Sequence, residues 1–158
     1  MLKYLGLLAI FVACVMPAVE YGARHRRRMS EYGFFIRLCD DVHEQIASYM
    51  RPIGDLLSEY DTSALGDVPL NFSGYDFSSG FSSAKGALSI SGAAVEALSS
   101  FFDALGGSVR RVELRRVSEL KRILVSEREG EMRSAEKSIG AIRAVCCAVG
   151  LTLVILLI

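Results

Sequence analysis

The feature that most constrains this chain is where its apolar residues lie: they crowd the two ends and leave the charge to the middle. The closing stretch, residues 139–158, finishes on AVGLTLVILLI, and residues 2–19 are nearly as apolar. As a helix, about twenty residues rise ~30 Å, which matches the hydrocarbon thickness of a bilayer. Buried helices of soluble cores rarely reach that length, so each end is expected to cross a membrane, the second with its last residues at the far interface. Hydrophobic residues make up 51% of the chain and mean hydropathy is +0.34. Those values are high for a soluble domain of 158 residues, and the ends account for the excess.

Arg143 falls about one turn inside the second run, where a long side chain can snorkel back to the headgroups. At the first run, only Lys3 precedes the apolar segment and RHRRR follows it, the reverse of a secretory signal. FVAC, ending at Cys14, loosely resembles a lipoprotein box, but the run before it is short and apolar residues continue after it. An uncleaved span is therefore expected, with Pro17 tolerable inside a membrane helix. Arg24, Arg26, Arg27 and Arg28 follow the first span; Arg128, Arg133, Lys137 and Arg143 precede or open the second. By the positive-inside rule both clusters face the cytoplasm and both termini lie outside. The expected organisation is an N-terminal transmembrane helix over 1–23, a cytoplasmic helical-bundle domain over 24–138, and a C-terminal transmembrane helix over 139–158.

Eighteen Lys and Arg balance eighteen Asp and Glu, so no overall charge draws the chain to nucleic acid. Beside a span, RHRRR reads as a topology anchor in contact with the lipid bilayer. Cys14, Cys146 and Cys147 fall in the expected spans and Cys39 in the middle, a pattern that gives neither a disulfide framework nor a metal spacing.

Within the middle, Met29, Tyr32, Phe35, Ile36, Cys39, Val42, Ile46, Tyr49 and Met50 recur at intervals of three and four, which predicts a helix with one buried stripe. Pro52 interrupts it and suits the opening of a short helix through IGDLLSEY. Residues 61–92 are Ser/Gly-rich with scattered aromatics and weak periodicity. They read either as an irregular helix around 77–88 or as a mobile excursion, since loops of this length are uncommon in compact domains. Helical spacing returns with Val95, Leu98, Phe101, Phe102 and Leu105, and Gly106-Gly107 ends that element. Ser108 is expected to cap a final helix whose stripe is Val109, Val112, Val117, Leu120, Ile123 and Leu124. The polar stretch SEREGEMRSAEKS then continues as a solvated stalk. Together these segments predict an all-α fold, an antiparallel helical bundle carried on a two-helix transmembrane hairpin.

Sites for chemistry are scarce. GFSSAKG lacks the G-K-[ST] ending of a phosphate-binding loop. Asp40, His43 and Glu44 share a helical face at spacings a metal could in principle use, but they read as an ordinary solvated face opposite the Cys39–Val42–Ile46 stripe. His25 lies in the basic anchor and His43 is the only other imidazole, so a nucleophile–base pair is not expected. No catalytic, metal or cofactor site is expected.

The two ends, MLKYLGLLAIF and AVGLTLVILLI, and two internal stretches, EQIASYMRPIGDLL and LSSFFDALGGS, resemble the stage III sporulation protein AB family of endospore-forming bacteria. The ends MLKYLGLLAIF and AVGLTLVILLI are similar in character to that family's ends. EQIASYMRPIGDLL resembles its acidic–aliphatic–Pro–acidic segment through Glu44, Ile46, Tyr49, Pro52, Ile53, Asp55 and Leu56. LSSFFDALGGS resembles its Leu–Phe–Leu-Gly element through Leu98, Phe102, Leu105 and Gly106. The resemblance implies a non-enzymatic membrane platform subunit, similar to those of type II secretion and type IV pilus machines. It also implies a cytoplasmic assembly ATPase resembling stage III sporulation protein AA as partner, together with other membrane subunits of a mother cell–forespore channel. Contact with that ATPase is expected at the membrane-distal end, around Arg51, Pro52, Gly106, Arg110 and Arg111. A holin-type membrane-lesion protein and a membrane-tethered regulator of a cytosolic enzyme are the alternatives. Polar residues recurring along one span face would favour the first alternative; only Arg143 and Thr152 interrupt the second run.

Topology is directly measurable. In a background lacking the native cysteines, Ser63→Cys is expected to resist membrane-impermeant thiol reagents in intact cells, and a reporter after Ile158 to read as extracytoplasmic. Efficient labelling at position 63 together with a cytoplasmic reporter would invert the topology.

Overall fold

Spacings of three and four along the middle of the chain form the helices they predict. The computed structural model describes residues 2–48, 52–72 and 76–157, and among them there is no strand. The helices are α1 (Leu2–Ser48), α2 (Ile53–Ser58), α3 (Phe77–Ala84), α4 (Gly92–Ala104) and α5 (Arg110–Leu157), with one 3-10 turn at Ser63–Leu65. The fold is all-α. Two compact units emerge: residues 1–26 with 130–158, and residues 27–129.

In the first unit the backbone is helical through residues 2–26 and 130–157. Among the described residues no helix is long and apolar enough to cross a membrane. Most side chains of the expected spans, 1–23 and 139–158, lie outside those described.

The second unit is a helical bundle. On α1 the buried face comprises Tyr32, Phe35, Cys39, Val42 and Ile46, as their spacing predicts, joined by Phe34 and Leu38. Tyr49 and Met50, placed on that stripe by sequence, lie outside the described residues. Lys121 Nζ donates to Asp40 Oδ1 at 2.5 Å, and the Arg110 guanidinium donates to the Ala47 carbonyl. Numbering therefore rises along α1 as it falls along α5, and the two helices pack antiparallel. Pro52 stands at the N-cap of α2, its carbonyl accepting from Asp55 N–H at 3.1 Å, so the break and restart fall where the proline predicts.

Residues 61–92 are part of the core. Leu65, Val68, Leu70, Phe72, Phe77, Phe81, Ala84 and Ile90 are all buried, and α3 opens with the Asp76 side chain accepting from Ser79 N–H at 3.1 Å. Their aromatics supply the packing. Phe81 lies 5.0 Å from Phe102 of α4 and 6.3 Å from Phe35 of α1; Phe72 lies 5.0 Å from Phe102. Tilted and edge-on pairs at such separations add about 0.5–1.5 kcal/mol each beyond the area they bury. Of the two readings open at the sequence level, the irregular helix is the one found, and it spans eight residues.

The start of α5 departs from expectation. Val109 and Val112 are 72% and 40% exposed, so the buried stripe begins only at Glu113 and Val117 and continues through Leu120 and Leu124. Glu113 displaces the valines because its carboxylate has local donors: Oε1 accepts from Ser108 N–H at 3.1 Å and faces Arg116 Nη1 at 3.6 Å. Ser108 Oγ accepts from the same Arg116 Nη1 at 2.9 Å, so the serine serves the arginine where a helix cap was expected. Ahead of it, Gly106 at φ +82° makes the left-handed turn that a glycine permits.

Gly80 and Pro52 separate a position that packing fixes from one it does not. A Cβ at Gly80 would collide with the Asn71 carbonyl, where α3 crosses the stretch of chain that precedes it. Gly80→Ala is expected to lower the unfolding free energy by about 1–3 kcal/mol despite its better helix propensity. Pro52→Ala, at an exposed cap, is expected to cost about 1 kcal/mol or less and leave the fold intact. Urea denaturation of the purified protein reads both; equal effects would contradict this account of α3.

Candidate functional site

Three places in residues 27–129 gather chemistry-bearing side chains. The first is a buried carboxylate. Glu31, 1% exposed, accepts from Ser89 N–H at 2.6 Å through Oε2 and from Arg27 Nε at 3.1 Å through Oε1. Arg27 Nη2 also donates to the Ala87 carbonyl at 3.2 Å. Beside it, Tyr32 Oη accepts from Ser91 N–H at 3.1 Å, and Ser91 Oγ donates to Glu127 Oε2 at 2.7 Å while accepting from Ala94 N–H. These bonds satisfy the backbone of the 85–91 connection and cap α4. They hold structure, and their donors leave little of the carboxylates free for a ligand. Arg27 therefore fixes a loop in addition to any part it has in RHRRR.

A cleft of about 200 Å³ between α1 and α5 forms the second place, lined by Cys39, Asp40, His43, Val117, Ser118 and Lys121. Cys39 and His43 lie one turn apart, a juxtaposition that a thiol nucleophile would need. Burial, with the Asp40 carboxylate adding to it, pushes the Cys39 thiol up from 9.0 to about 12. A nucleophilic cysteine needs the opposite shift. Asp40 is committed to Lys121, and among the described residues no group of three or more His, Cys, Asp or Glu could hold a metal ion. Asp40, His43 and Glu44 are each exposed on α1.

The third is a pair of clefts on the opposite flank of α1, sharing Ala64. One, about 350 Å³, is lined by Phe34, Arg37, Asp41, Tyr60, Asp61 and Ala64; its neighbour, about 280 Å³, runs past Arg27, Ser30 and Asp67. Phe34 and Tyr60 meet edge-on at 5.5 Å, and Tyr60 Oη donates to Asp41 Oδ2 at 2.6 Å. Burial first, then that hydrogen bond, raises the Tyr60 pKa well above its ordinary 10.0. Asp61 is held below the usual carboxylate range by Ser63, whose N–H donates to it at 2.9 Å.

Of the expected contact residues, Arg51 lies outside the described residues. The Arg110–Ala47 bond brings the start of α5 beside the end of α1, so Pro52, Gly106, Arg110 and Arg111 flank one end of the unit. Pro52, Gly106 and Arg111 are exposed there. The buried glutamates and the Tyr60 cleft were not anticipated. Glu31 had a signal: it stands four before Phe35 and seven before Leu38, in register with the core stripe. Tyr60 had none, because the loop that seats it carries no period.

No protein-family model, curated protein or solved structure matches this chain.

The protonated thiol has two readable consequences. Folded and unfolded chains both keep Cys39 protonated below pH 9, so stability there is independent of it. Between pH 9 and about 12 the unfolded thiol ionises and the folded one does not, so stability falls as pH rises, at a slope approaching ~1.4 kcal/mol per unit. At pH 8, with Cys14, Cys146 and Cys147 replaced by serine, iodoacetamide is expected to modify the native protein at least ~100-fold more slowly than the urea-unfolded one. Comparable rates would show an activated thiol.

Proposed function

We propose that this protein is a non-enzymatic platform subunit of a secretion-like complex acting in endospore formation, anchored by a transmembrane hairpin. On this reading residues 1–23 and 139–158 are the membrane helices, the bundle is cytoplasmic and both termini are extracytoplasmic. Its partners are a cytoplasmic assembly ATPase and other membrane subunits of a channel between mother cell and forespore. The observation that carries the reading is the division of the chain. Both apolar ends fall in one unit and the charged middle, residues 27–129, forms a bundle of its own. That is the arrangement an anchored contact domain needs: a hydrophobic foot made from both ends and a self-contained soluble part.

The bundle's chemistry supports contact over catalysis. Its cysteine is held protonated beside His43, and its buried carboxylate Glu31 is spent on backbone and arginine donors. The resemblance to the sporulation family supplies the nature of the complex and the ATPase.

The test is co-purification of the full-length protein, in detergent at low salt, with the assembly ATPase encoded in the same operon. Wild type is expected to retain the ATPase, and Arg51→Glu/Arg110→Glu/Arg111→Glu to lose most of it. Retention should also weaken as salt is raised, since exposed ion pairs are screened over ~8–10 Å. If the wild-type protein never retains it, the tethered-regulator reading takes its place.

A further inference from the structure

The chain is formally neutral, yet its charge is sorted by position. From Pro52 to Ala84 there are five carboxylates, Asp55, Glu59, Asp61, Asp67 and Asp76, and no Lys or Arg. From Arg110 to Arg122 there are six basic residues against two acidic ones, and one of those two, Glu113, is buried. The two stretches lie on different flanks of the bundle. The face of α1 that meets α5 carries Cys39 and Asp40, whereas the face that meets the acidic segment carries Phe34, Arg37 and Asp41. Within one molecule these opposite charges therefore face different directions.

Each flank carries more than charge. On α5, Val112, Arg115, Glu119 and Arg122 recur at three and four, all exposed, and the valine is a misfit on a solvated face. Arg122 is loosely paired with Glu119 at 3.9 Å, a surface pair that contributes little. On the acidic side, the 350 Å³ cleft is lined by Tyr60, backed edge-on by the buried Phe34, and by the carboxylates of Asp41 and Asp61. A partly exposed tyrosine ring beside two carboxylates suits a guanidinium, which stacks on the first and pairs with the second. Arg37 also lines the cleft, but its Nε is turned back to the Gly33 carbonyl at 3.2 Å, and two carboxylates still outweigh one cation.

We propose that the outward flank of α5 in one copy docks on the acidic flank of a second copy of this chain, with Arg115 entering the Phe34–Tyr60–Asp41–Asp61 cleft. Both halves of the contact are on one chain, so each copy offers a basic flank to one neighbour and an acidic flank to another or to the same one, and the association closes as a symmetric oligomer or extends as an array. It goes beyond the platform reading and uses a different surface from the Arg110–Arg111 end.

The experiment uses the full-length protein in detergent, with mass followed by light scattering at 50 and 500 mM NaCl. Wild type is expected to associate at low salt, with at least a tenfold weaker association at high salt. Arg115→Glu/Arg122→Glu and Asp41→Arg/Asp61→Arg are each expected to be monomeric, and their equimolar mixture to associate again, because each variant now supplies the charge the other has lost. Should Asp41→Arg disturb folding through the Tyr60 bond, as circular dichroism would reveal, Asp61→Arg/Asp67→Arg replaces it on exposed positions with the same outcome expected. A monomeric wild type at low salt, association of the single-flank variants as strong as wild type, or a mixture that stays monomeric each overturns the proposal. Both flank variants should keep the ATPase if the platform reading holds. An α5-flank variant that loses the ATPase but still self-associates would assign that flank to the other protein and overturn the proposal.

Discussion

Residues 27–129 hang on the ring of Phe81. It is almost wholly buried, and its neighbours come from three parts of the chain: Phe35 of α1, Phe102 of α4 and, through Phe102, Phe72 of the long connection. α1 and α5 alone form a two-helix layer, which leaves one side of each stripe open. The connection closes that side with Leu65, Val68, Leu70 and Ile90 as well as with the rings of Phe72, Phe77 and Phe81. Each large ring reaches several neighbours from a single anchoring residue. Gly80 belongs to the same solution, since α3 can bring Phe77 and Phe81 to the core only if its backbone passes close to Asn71.

An aromatic core places side chains but leaves the backbone of a connection unpaired, and that need is met by acids. Glu31 takes Ser89 N–H and Arg27, Asp76 takes the first turn of α3, Asp61 takes Ser63, and Glu113 takes Ser108. A carboxylate is an acceptor only, and it bonds N–H groups more strongly than a neutral oxygen does. Arg116 answers the opposite need, donating to the Ala104 carbonyl where α4 stops. These polar residues are thus the means by which the connection between two long helices satisfies its turns.

This arrangement explains what was legible in the sequence. The helices with a clean period, residues 28–48 and 92–104, were readable because a single face is buried throughout. Pro52 and Gly106 were readable because their backbone geometry admits few alternatives. The segment 61–92 was only half legible, because its buried residues change spacing along the chain, alternating at Val68, Leu70 and Phe72 and then turning helical at Phe77, Phe81 and Ala84, so no single repeat runs through it. At Val109 and Val112 hydrophobicity misled: nothing in their spacing separates them from the stripe, and the decision was made by a glutamate whose donors are five residues earlier and three later. Of the candidate contact end, the sequence placed the break and the turn and, from an antiparallel bundle, expected them at one end. The Arg110–Ala47 bond holds them there, and it depends on the antiparallel register of α1 and α5.

The titratable groups follow the same division of labour. Every displaced pKa among the described residues traces to packing or to the forming of a turn. Cys39 and Tyr60 are raised first by burial, and Asp61 and Asp76 are lowered by the N–H groups they accept. Catalytic groups are displaced toward the reactive form at neutral pH, a thiol downward or a carboxylic acid upward. Here each shift runs the other way, holding the thiol and phenol neutral and the carboxylates ionised. Cys39 and Tyr60 therefore stay neutral, and the exposed Asp61 and Asp76 keep their charge to lower pH than ordinary carboxylates. Residues 52–84 carry acidic charge alone and residues 110–122 mostly basic charge, and that separation is what the contacts proposed above would use.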